Sequence, residues 1–578
     1  MINRRDFIKN TSTLGLTGWI LPKGEFFNLS EPGELLYNGI QLPANWPQKN
    51  IDPGNYEPMD LPYLKNPPAV IPVDVGRQLF VDDFLIEKTS LKRQFYNARK
   101  LENNPVLKPE TWTEQGPWGI PGATAKDGGV WWDPKDQLFK VWYEAGWLYK
   151  MAYATSKDGI HWNRPELEMD GGTNVIVPDI IADSSTVFLD HFTDNPEERF
   201  KMFLRPPNGI PGAKKQIYTG YAMVSADGIH WEKRVETGIC GDRTTIFYNP
   251  FRKKWVYSLR NTGQYGKSPI GRSRYYYEHD DFLKGAQWDV KDVSFWTGAD
   301  KLDLPDPAIG DKAQLYNLSA VGYESLMLGL HQIHLGPDNE ICLKNASPKI
   351  TELKISFSRD GFHWDRPNRE AFINATRTEG SWDRGYVQSV GGICAVVGDQ
   401  LWFYYIGFKG DQTKKSNVYV KNGMHSYGST GIAVLRRDGF ASMNADSKSG
   451  DLLTRPVTFK GKHLFVNADC KSGELKVEIT DDKNRTISPF AFSRCETIAG
   501  DSTIQKISWK GVDDLSQLRG KPVRFKFQLK NGKLYSFWVS PDKSGASNGY
   551  VAAGGPGFTG GSDTAGIDAY SAAKSFML

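Results

Sequence analysis

The chain has 578 residues, of which 39% are hydrophobic and 24% charged, so it can bury a sizeable core and a disordered chain is excluded. Lysine and arginine number 71 against 67 aspartate and glutamate, and this small excess is spread along the sequence, which argues against a nucleic-acid-binding protein. Aromatic residues make up 13% of the chain, and their flat faces suit both packing between sheets and contact with sugar rings.

The N-terminus carries an arginine pair followed by a modest apolar stretch. Arg4 and Arg5 precede Phe7 and Ile8, a pattern typical of a twin-arginine export signal. We assign residues 1–26 to this signal and expect a periplasmic or secreted protein; the alternative is a basic N-terminus without that role. No run in the sequence reaches the roughly 18 apolar residues of a membrane span.

The next two segments lead into a repeated region. Residues 27–76 are rich in proline and asparagine, which predicts an extended arm on the surface. Residues 78–86 are mostly apolar and predict a β-strand. We expect this strand to close the repeated domain that follows it.

A phrase of the form Ser-x-Asp-Gly-x-x-Trp recurs along the middle of the chain. It begins at Ser156, Ser225 and Ser358, and a degraded copy contains Asp438. The interval between the second and third copies is about twice the others, which places a missing copy near Trp288. Alternating apolar runs precede each copy, so each unit predicts an antiparallel meander with the Asp-Gly pair in a tight turn between its third and fourth strands.

Five such units predict a five-bladed β-propeller over residues 77–445, because radial closure protects the sheet edges and leaves a central pocket. Residues 446–545 contain short alternating segments that predict a β-sandwich. The last stretch, 546–578, is rich in glycine, alanine and serine and predicts a tail that is loosely ordered or packed over another surface. Of the five cysteines, Cys240, Cys342 and Cys394 are expected to be buried thiols, whereas Cys470 and Cys495 could form a bridge within the C-terminal domain, a choice that the sequence leaves open.

These turns, five blades and a following β-sandwich resemble the superfamily of glycosidases that includes invertases, fructanases and arabinanases, families 32 and 43 and their relatives. The resemblance covers about residues 77–540. It implies a pocket on the propeller axis with three carboxylates from the innermost strands of the first three blades. They are an aspartate that acts as nucleophile or base, an aspartate that orients the substrate and a glutamate that acts as the general acid. The chain lacks the Trp-x-Asn-Asp-Pro-Asn and Glu-Cys signatures of family 32, so it departs from that family's standard pattern.

Position within each blade selects the candidate catalytic carboxylates, because residues at the start of an innermost strand face the axis. Asp127, Asp183 and Asp242 precede the first apolar strands of the first three blades. Glu324 lies inside an apolar run of the fourth blade, where burial would raise its pKa toward that of a general acid; the alternative is a residue at a strand end or turn. Glycoside hydrolysis uses two carboxyl groups, so this set predicts a glycoside hydrolase, exo-acting because the axial pocket is closed.

Arginines concentrate in the third blade and indicate the substrate. The residues predicted to bind it are Arg243, Arg260, Arg272 and Trp131. We expect a carbohydrate substrate. Because arginine pairs bidentately with carboxylate or sulfate, a uronic or sulfated sugar would suit these residues. The alternative is that these arginines form salt bridges between blades.

No catalytic metal and no other cofactor is predicted, because His331 and His334 would point to opposite faces of a strand. Two other functions remain open on this scaffold. One is a carbohydrate-binding propeller without catalysis, and the other is a polysaccharide lyase or a phosphorylase.

Overall fold

The computed structural model describes residues 33–207, 218–261, 263–414 and 423–576. The predicted export signal, residues 1–26, lies outside the described residues. Helices are short and peripheral within the described ranges: α1 (Pro62–Lys65), α2 (Trp112–Gln115), α3 (Phe282–Gly285), α4 (Asn339–Asn345) and α5 (Ile567–Ala572).

Short strands precede the propeller and follow the irregular segment 33–70. They are β1 (Ile71–Pro72), β2 (Gln78–Leu79), β3 (Ile86–Thr89), β4 (Lys92–Phe95) and β5 (Arg99–Lys100). The segment 33–70 lies along the third and fourth blades, where the Tyr37 ring stacks on Phe251 at 4.3 Å and Asn38 Nδ2 donates to the carbonyl of Arg359 at 2.8 Å.

Five antiparallel sheets follow in chain order, which confirms the predicted five-bladed β-propeller. The first blade contains β6 (Ala123–Thr124), β7 (Val130–Asp133), β8 (Leu138–Ala145) and β9 (Lys150–Ser156). The second contains β10 (Ser184–Leu189), β11 (Phe200–Arg205), β12 (Tyr221–Ser225) and β13 (Glu232–Glu236). The third contains β14 (Thr245–Asn249), β15 (Lys254–Arg260), β16 (Ser273–His279) and β17 (Ser294–Gly298). The fourth contains β18 (Gln314–Glu324), β19 (Leu326–Gly336) and β20 (Ile350–Ser358), and the fifth β21 (Gly385–Ser389), β22 (Ala395–Val397), β23 (Gln400–Phe408) and β24 (Gly428–Arg436).

The repeated phrase forms the turn after the third strand of a blade, as predicted. In the second blade, Asp227 Oδ1 accepts hydrogen bonds from the amides of Ile229 at 2.8 Å and His230 at 2.9 Å, and Ser225 Oγ accepts from Gly228 at 2.8 Å. Gly228 has φ +84°, which a residue with a side chain rarely adopts. In the third blade, which lacks the phrase, α3 occupies this position ahead of β17.

The turn carboxylates predict a measurable contribution to stability. Although burial opposes it, hydrogen bonds from His230 and Ile229 lower the pKa of Asp227 to about 2. A depressed carboxyl pKa stabilises the fold above the unfolded-state pKa, and this stabilisation is lost as pH falls through the folded-state value. We expect Asp227→Ala to lower the free energy of unfolding by about 1 kcal/mol, the usual effect of losing a side chain that caps backbone amides, with no loss of catalytic rate. Denaturant unfolding at pH 7 measures this change, and an unaltered midpoint would contradict it.

The strand that closes the fifth blade differs from the prediction. β5 pairs with β24, with Lys100 opposite Ala433 and Arg99 opposite Val434. The predicted closing strand, residues 78–86, instead contributes β2, and Gln78 lies opposite Phe537 of the C-terminal domain. The closing strand is therefore a two-residue segment about twenty positions further along the chain.

A second β domain follows the propeller. Its strands are β25 (Ala441–Ala445), β26 (Gly450–Thr454), β27 (Val457–Thr458), β28 (His463–Asp481), β29 (Ile498–Lys506), β30 (Val523–Lys530) and β31 (Gly532–Ser540). Together with β1–β4 they form one hydrogen-bonded network of eleven strands. The long strand β28 pairs first with β31 and then with β30, so the sheet bends around a single apolar core. The predicted β-sandwich stays a prediction, and Cys470 and Cys495 are both free and buried, so the bridge between them is not formed.

The C-terminal segment enters the propeller at the end of the axis next to this second domain. Its strand β32 (Tyr550–Val551) adds to the inner edge of β18, with Val551 opposite Tyr323. The amide of Ala553 donates to the carbonyl of Cys394 at 3.0 Å, and the carbonyl of Ala553 accepts from the amide of Trp132 at 2.9 Å. The tail therefore joins the first, fourth and fifth blades and closes that end of the axis.

Candidate active site

The innermost strands β7, β10, β14, β18 and β21 all begin at the opposite end of the axis, which we call the axial mouth. Three of the four predicted catalytic residues, Asp127, Asp183 and Asp242, lie there, just ahead of β7, β10 and β14. Bonds between blades tie these starts together. Lys126 Nζ donates to the carbonyl of Asp183 at 2.9 Å, and the amide of Arg243 donates to Ser184 Oγ at 2.8 Å.

Asp127 is the most deeply buried of the three, with 1% of its surface exposed. Its Oδ2 pairs with Arg243 Nη1 at 2.8 Å, and its Oδ1 accepts from Ser319 Oγ at 3.0 Å and Asn317 Nδ2 at 3.3 Å. Burial raises the pKa of Asp127, and the Arg243 guanidinium acts against this rise. Asp127 and Arg243 thus form a fixed pair across the axis between the first and third blades.

Asp183 lies beside a second buried pair in the first blade. Lys126 Nζ forms an ion pair with Glu144 Oε2, while Glu144 Oε1 accepts from the amide of Leu148 at 2.8 Å. Burial raises the pKa of Glu144 to about 6; Lys126 opposes the rise and the Asp183 carboxylate adds to it. Asp183 itself pairs with Arg205 at 3.5 Å. A carboxyl that titrates near pH 6 next to a second carboxylate is the arrangement needed for acid catalysis with a partner base.

Asp242 is the most exposed of the three, with 21% of its side chain accessible, and it pairs with Arg260. The predicted substrate-binding residues Arg243, Arg260 and Arg272 all lie at the axial mouth, and Arg260 and Arg272 are half-buried. Arg274, fully buried, donates to the carbonyl of Arg243 at 2.6 Å and to that of Tyr316. The arginines therefore connect the third blade to the start of the fourth.

A phenol and an ammonium group lie behind these arginines. Lys349 Nζ donates to Tyr316 Oη at 3.3 Å, and the hydroxyls of Tyr316 and Tyr386 are 2.9 Å apart. The guanidinium of Arg272 lies over the Tyr316 ring at 5.4 Å. Burial alone would raise the pKa of Tyr316, but Lys349, Arg260, the bond from Tyr386 and Arg272 together lower it to about 7. His334, 5.9 Å from that ring, is held neutral because burial lowers its pKa to about 3.

Several residues of the axial mouth have left-handed backbone conformations. Lys126 has φ 39°, Arg243 φ 60° and Tyr386 φ 52°, and none of them is a glycine or asparagine. Such conformations cost of order 1–3 kcal/mol each and persist where the surrounding structure requires them, which is common at functional sites. All three side chains contribute to the clusters described above.

Trp131 and Glu324 do not join this group. Trp131 is 2% exposed, donates to the carbonyl of Val187 at 2.9 Å and packs on Phe188, so it fills the axis below the mouth and presents no free face to substrate. The axial cavity that it lines with Asp127 has a volume of only about 20 Å³. This cavity is too small for a sugar ring.

Glu324 lies at the far end of β18, seven residues beyond Asn317 and so about 23 Å from the mouth at ~3.3 Å per residue. It is fully buried, pairs with Arg437 at 3.1 Å and accepts from Ser547 Oγ at 2.7 Å and from the amide of Arg77 at 3.0 Å. Burial raises its pKa, as expected for a glutamate in an apolar run. The arginines of this ion network, Arg77 and Arg437, oppose the rise, so the residue has a structural role, and the strand-end alternative describes its position.

Three residues at the axial mouth are not among the sequence-based candidates: Glu144, Tyr316 and Lys349. Glu144 lies in the apolar run of β8, the same signal that selected Glu324, and that signal was available. Tyr316 and Lys349 have no such signal, because their environment is created by contacts between the fourth and fifth blades.

No cluster of three or more histidine, cysteine, aspartate or glutamate side chains suited to a metal ion occurs within residues 33–207, 218–261, 263–414 and 423–576. Over the same ranges, every helix is too short or too polar to cross a membrane.

Comparison with known proteins shows similarity at the level of fold. No family model and no curated protein matches the chain. Among solved structures, it is similar to an N-acetylgalactosamine deacetylase from F. plautii (15% identity, 60% of this chain and 96% of that chain, TM-score 0.42). It is also similar to a fructofuranosidase from Schwanniomyces occidentalis, at 11% identity over 77% of this chain and 98% of that chain, with a TM-score of 0.34. A thermostable family-43 glycoside hydrolase is similar at 11% identity over 58% of this chain and 96% of that chain, with a TM-score of 0.37. At these identities the similarity concerns the fold, and the five blades themselves are seen in the strand pairing of this chain.

Proposed function

We propose that this protein is a carbohydrate-active enzyme that cleaves glycosidic bonds of an oligo- or polysaccharide at the axial mouth. The observation that carries the proposal is the convergence of Asp127, Asp183 and Asp242 at the starts of three successive innermost strands, with Glu144 beside them. Solved glycoside hydrolases and a mannose phosphorylase recur among the structures that the chain is similar to, in agreement with a carbohydrate substrate.

Hydrolysis assigns these groups complementary roles. The proton of the Glu144 carboxyl passes to the glycosidic oxygen as the bond to the anomeric carbon breaks, and the Asp183 carboxylate attacks that carbon or takes a proton from the attacking water. The buried pair of Asp127 and Arg243 forms the floor beneath the sugar, and Asp242 lies on the accessible side. Because the C-terminal tail closes the far end of the axis, the chain end of a glycan enters rather than passes through, which makes the enzyme exo-acting. We propose that it acts outside the cytoplasm, following the N-terminal arginine pair.

The test is incubation of the full chain with neutral, uronic and sulfated oligosaccharides of defined linkage, with product release followed by chromatography. Release of single sugar units from one chain end supports an exo-acting hydrolase. Binding of a glycan with no product over the whole panel would favour the non-catalytic alternative and reject the proposal.

The assignment of Glu144 as acid predicts the pH dependence of turnover. The carboxyl must be protonated to donate, and its pKa in the ligand-free protein is about 6, so kcat/KM should fall about tenfold per pH unit as pH rises above 6. In Glu144→Gln this limb should disappear and kcat should fall about 10²- to 10⁴-fold. A pH–rate profile of both proteins measures this, with a thermal melt to verify that Lys126 tolerates the loss of its partner. A basic limb that persists in Glu144→Gln would assign the acid to another group.

A further inference from the structure

The charges at the axial mouth do not balance. Four cations each have a carboxylate partner: Arg243 with Asp127, Arg205 with Asp183, Arg260 with Asp242, and Lys126 with Glu144. Arg272, Arg274 and Lys349 have none within the described parts of the chain. Arg274 donates to backbone carbonyls, Arg272 Nη1 donates to Gln314 Oε1 at 3.3 Å, and Lys349 Nζ donates to Tyr316 Oη and lies over the Tyr386 ring.

Such an excess is costly when buried, because an unpaired charge loses its hydration without a counter-charge. Lys349 is 2% exposed, and burial lowers its pKa, which expresses that cost. Arg272 is half-buried and so more exposed than Lys349. The Nε of Arg272 has no hydrogen-bond partner within the described parts of the chain. The cluster thus has both positive charge and a free donor that an oxyanion would satisfy.

We propose that Arg272, Lys349 and Tyr316 form a subsite for an anionic substituent, a carboxylate or a sulfate ester, on the sugar that enters the axial mouth. This inference rests on the proposed function, since it names the substrate class for the same site. The planar fork of Arg272 suits bidentate contact with either group, and Lys349 supplies a point charge behind it. The Tyr316 hydroxyl, 3.3 Å from Lys349 Nζ, donates the remaining hydrogen bond when it is protonated.

The same geometry makes anion binding depend on pH. As pH rises above about 7, Tyr316 loses its proton, because its pKa is lowered to that value by the surrounding cations, and the phenolate then neutralises Lys349 in place of the ligand. The charged and titratable groups around Tyr316 are Lys349, Arg260, Arg272, Arg274, His334 and Tyr386, and Cys342 acts on Lys349. His334 stays neutral because its pKa is about 3, and burial raises the pKa of Cys342 to about 11, so neither changes charge between pH 6 and 8.

Titration calorimetry of the full chain with three oligosaccharides of one length and linkage, bearing no charge, a uronic carboxylate or a sulfate ester, tests the subsite and separates the two anions. We expect one of the anionic glycans to bind at least about tenfold tighter than the neutral one, and Arg272→Gln to remove that difference. Arg377→Gln is the control, because it removes the same charge from an arginine that is more exposed than Arg272 and pairs with Asp306 and Glu352 on the flank of the fourth blade.

In the native protein we expect anion binding to weaken about fivefold between pH 7 and 8, because the protonated fraction of a group with a pKa of about 7 falls by that factor. Tyr316→Phe should abolish this weakening and remove a tyrosinate absorbance change in the same range. Equal binding of neutral and anionic glycans, or tight binding of inorganic phosphate alone, would overturn the subsite for a sugar-borne anion. Turnover of a neutral glycan with no anionic preference would overturn this inference and leave the proposed function intact. Binding of the anionic glycan without turnover would support the anion subsite and overturn the proposed function.

Discussion

Deletion of residues 546–578 should lower the melting temperature by about 4 °C or more, because this tail completes both the inner sheet edge and a buried ion network. Asp563 pairs with Arg437 at 3.0 Å, and Arg437 in turn pairs with Glu324. Leaving a buried arginine short of one partner costs about 3–5 kcal/mol. Burial of Val551, Ala553 and Phe558 is lost as well, and the far end of the axis opens to water.

Thermal melts of the full and shortened chains measure this effect, and two point variants separate its causes. Asp563→Asn keeps the shape and removes one charge from the network, so it should reproduce a substantial part of the loss. Asp568→Asn lies in the same tail on exposed helix α5 and should leave the melting temperature unchanged. A shortened chain as stable as the full one would show that the tail does not hold the blades together.

The blade count was predictable because its signal is local. The Asp-Gly turn, with its serine and aspartate bonding to amides two and three residues away, needs only a few consecutive residues. The missing copy in the third blade was predictable for the same reason, since its neighbours set the spacing. The degraded copy differs: Asp438 bonds to Arg77, Tyr323 and Ser536, so it links the propeller to the second domain instead of shaping its own turn.

The closing strand and the partners of β2 were not predictable, because these pairings join positions hundreds of residues apart. Gln78 lies opposite Phe537, and β5 is only two residues long, too short to show any apolar alternation. For the tail, the composition left two alternatives open, a loosely ordered segment and one packed over another surface. Gly549 packs against Glu324 and Gly555 against the backbone of Val396, where a side chain would not fit.

In the candidate site too, local properties could be predicted from the sequence, whereas the position of a residue along the propeller axis could not. A glutamate inside an apolar run indicates burial and a raised pKa, and both Glu144 and Glu324 have these properties. The run does not say which end of its strand faces the substrate. That depends on strand direction around the axis, which puts Glu144 at the mouth and Glu324 against the tail.

Asp183→Asn should lower kcat on the preferred glycan by about 10²- to 10⁴-fold while leaving the fold intact, because the amide neither attacks the anomeric carbon nor accepts a proton from water. Structural damage should be small. Arg205, the partner of Asp183, also donates to the carbonyls of Cys240 at 3.2 Å and Pro206 at 3.0 Å, so it is not left without acceptors.

Asp190→Asn is the matched control, since Asp190 follows the opposite end of the same strand and pairs with Lys201 at 3.2 Å, away from the mouth. It should reduce stability and leave kcat near that of the native protein. Steady-state kinetics with a thermal melt on both variants separates the two effects. If Asp183→Asn keeps more than about a tenth of native kcat, the carboxylate at the start of β10 is not the base or nucleophile. The mouth would then have to act through Asp242 or Asp127, and of these only Asp242 has an accessible side chain, whereas Asp127 is locked to Arg243.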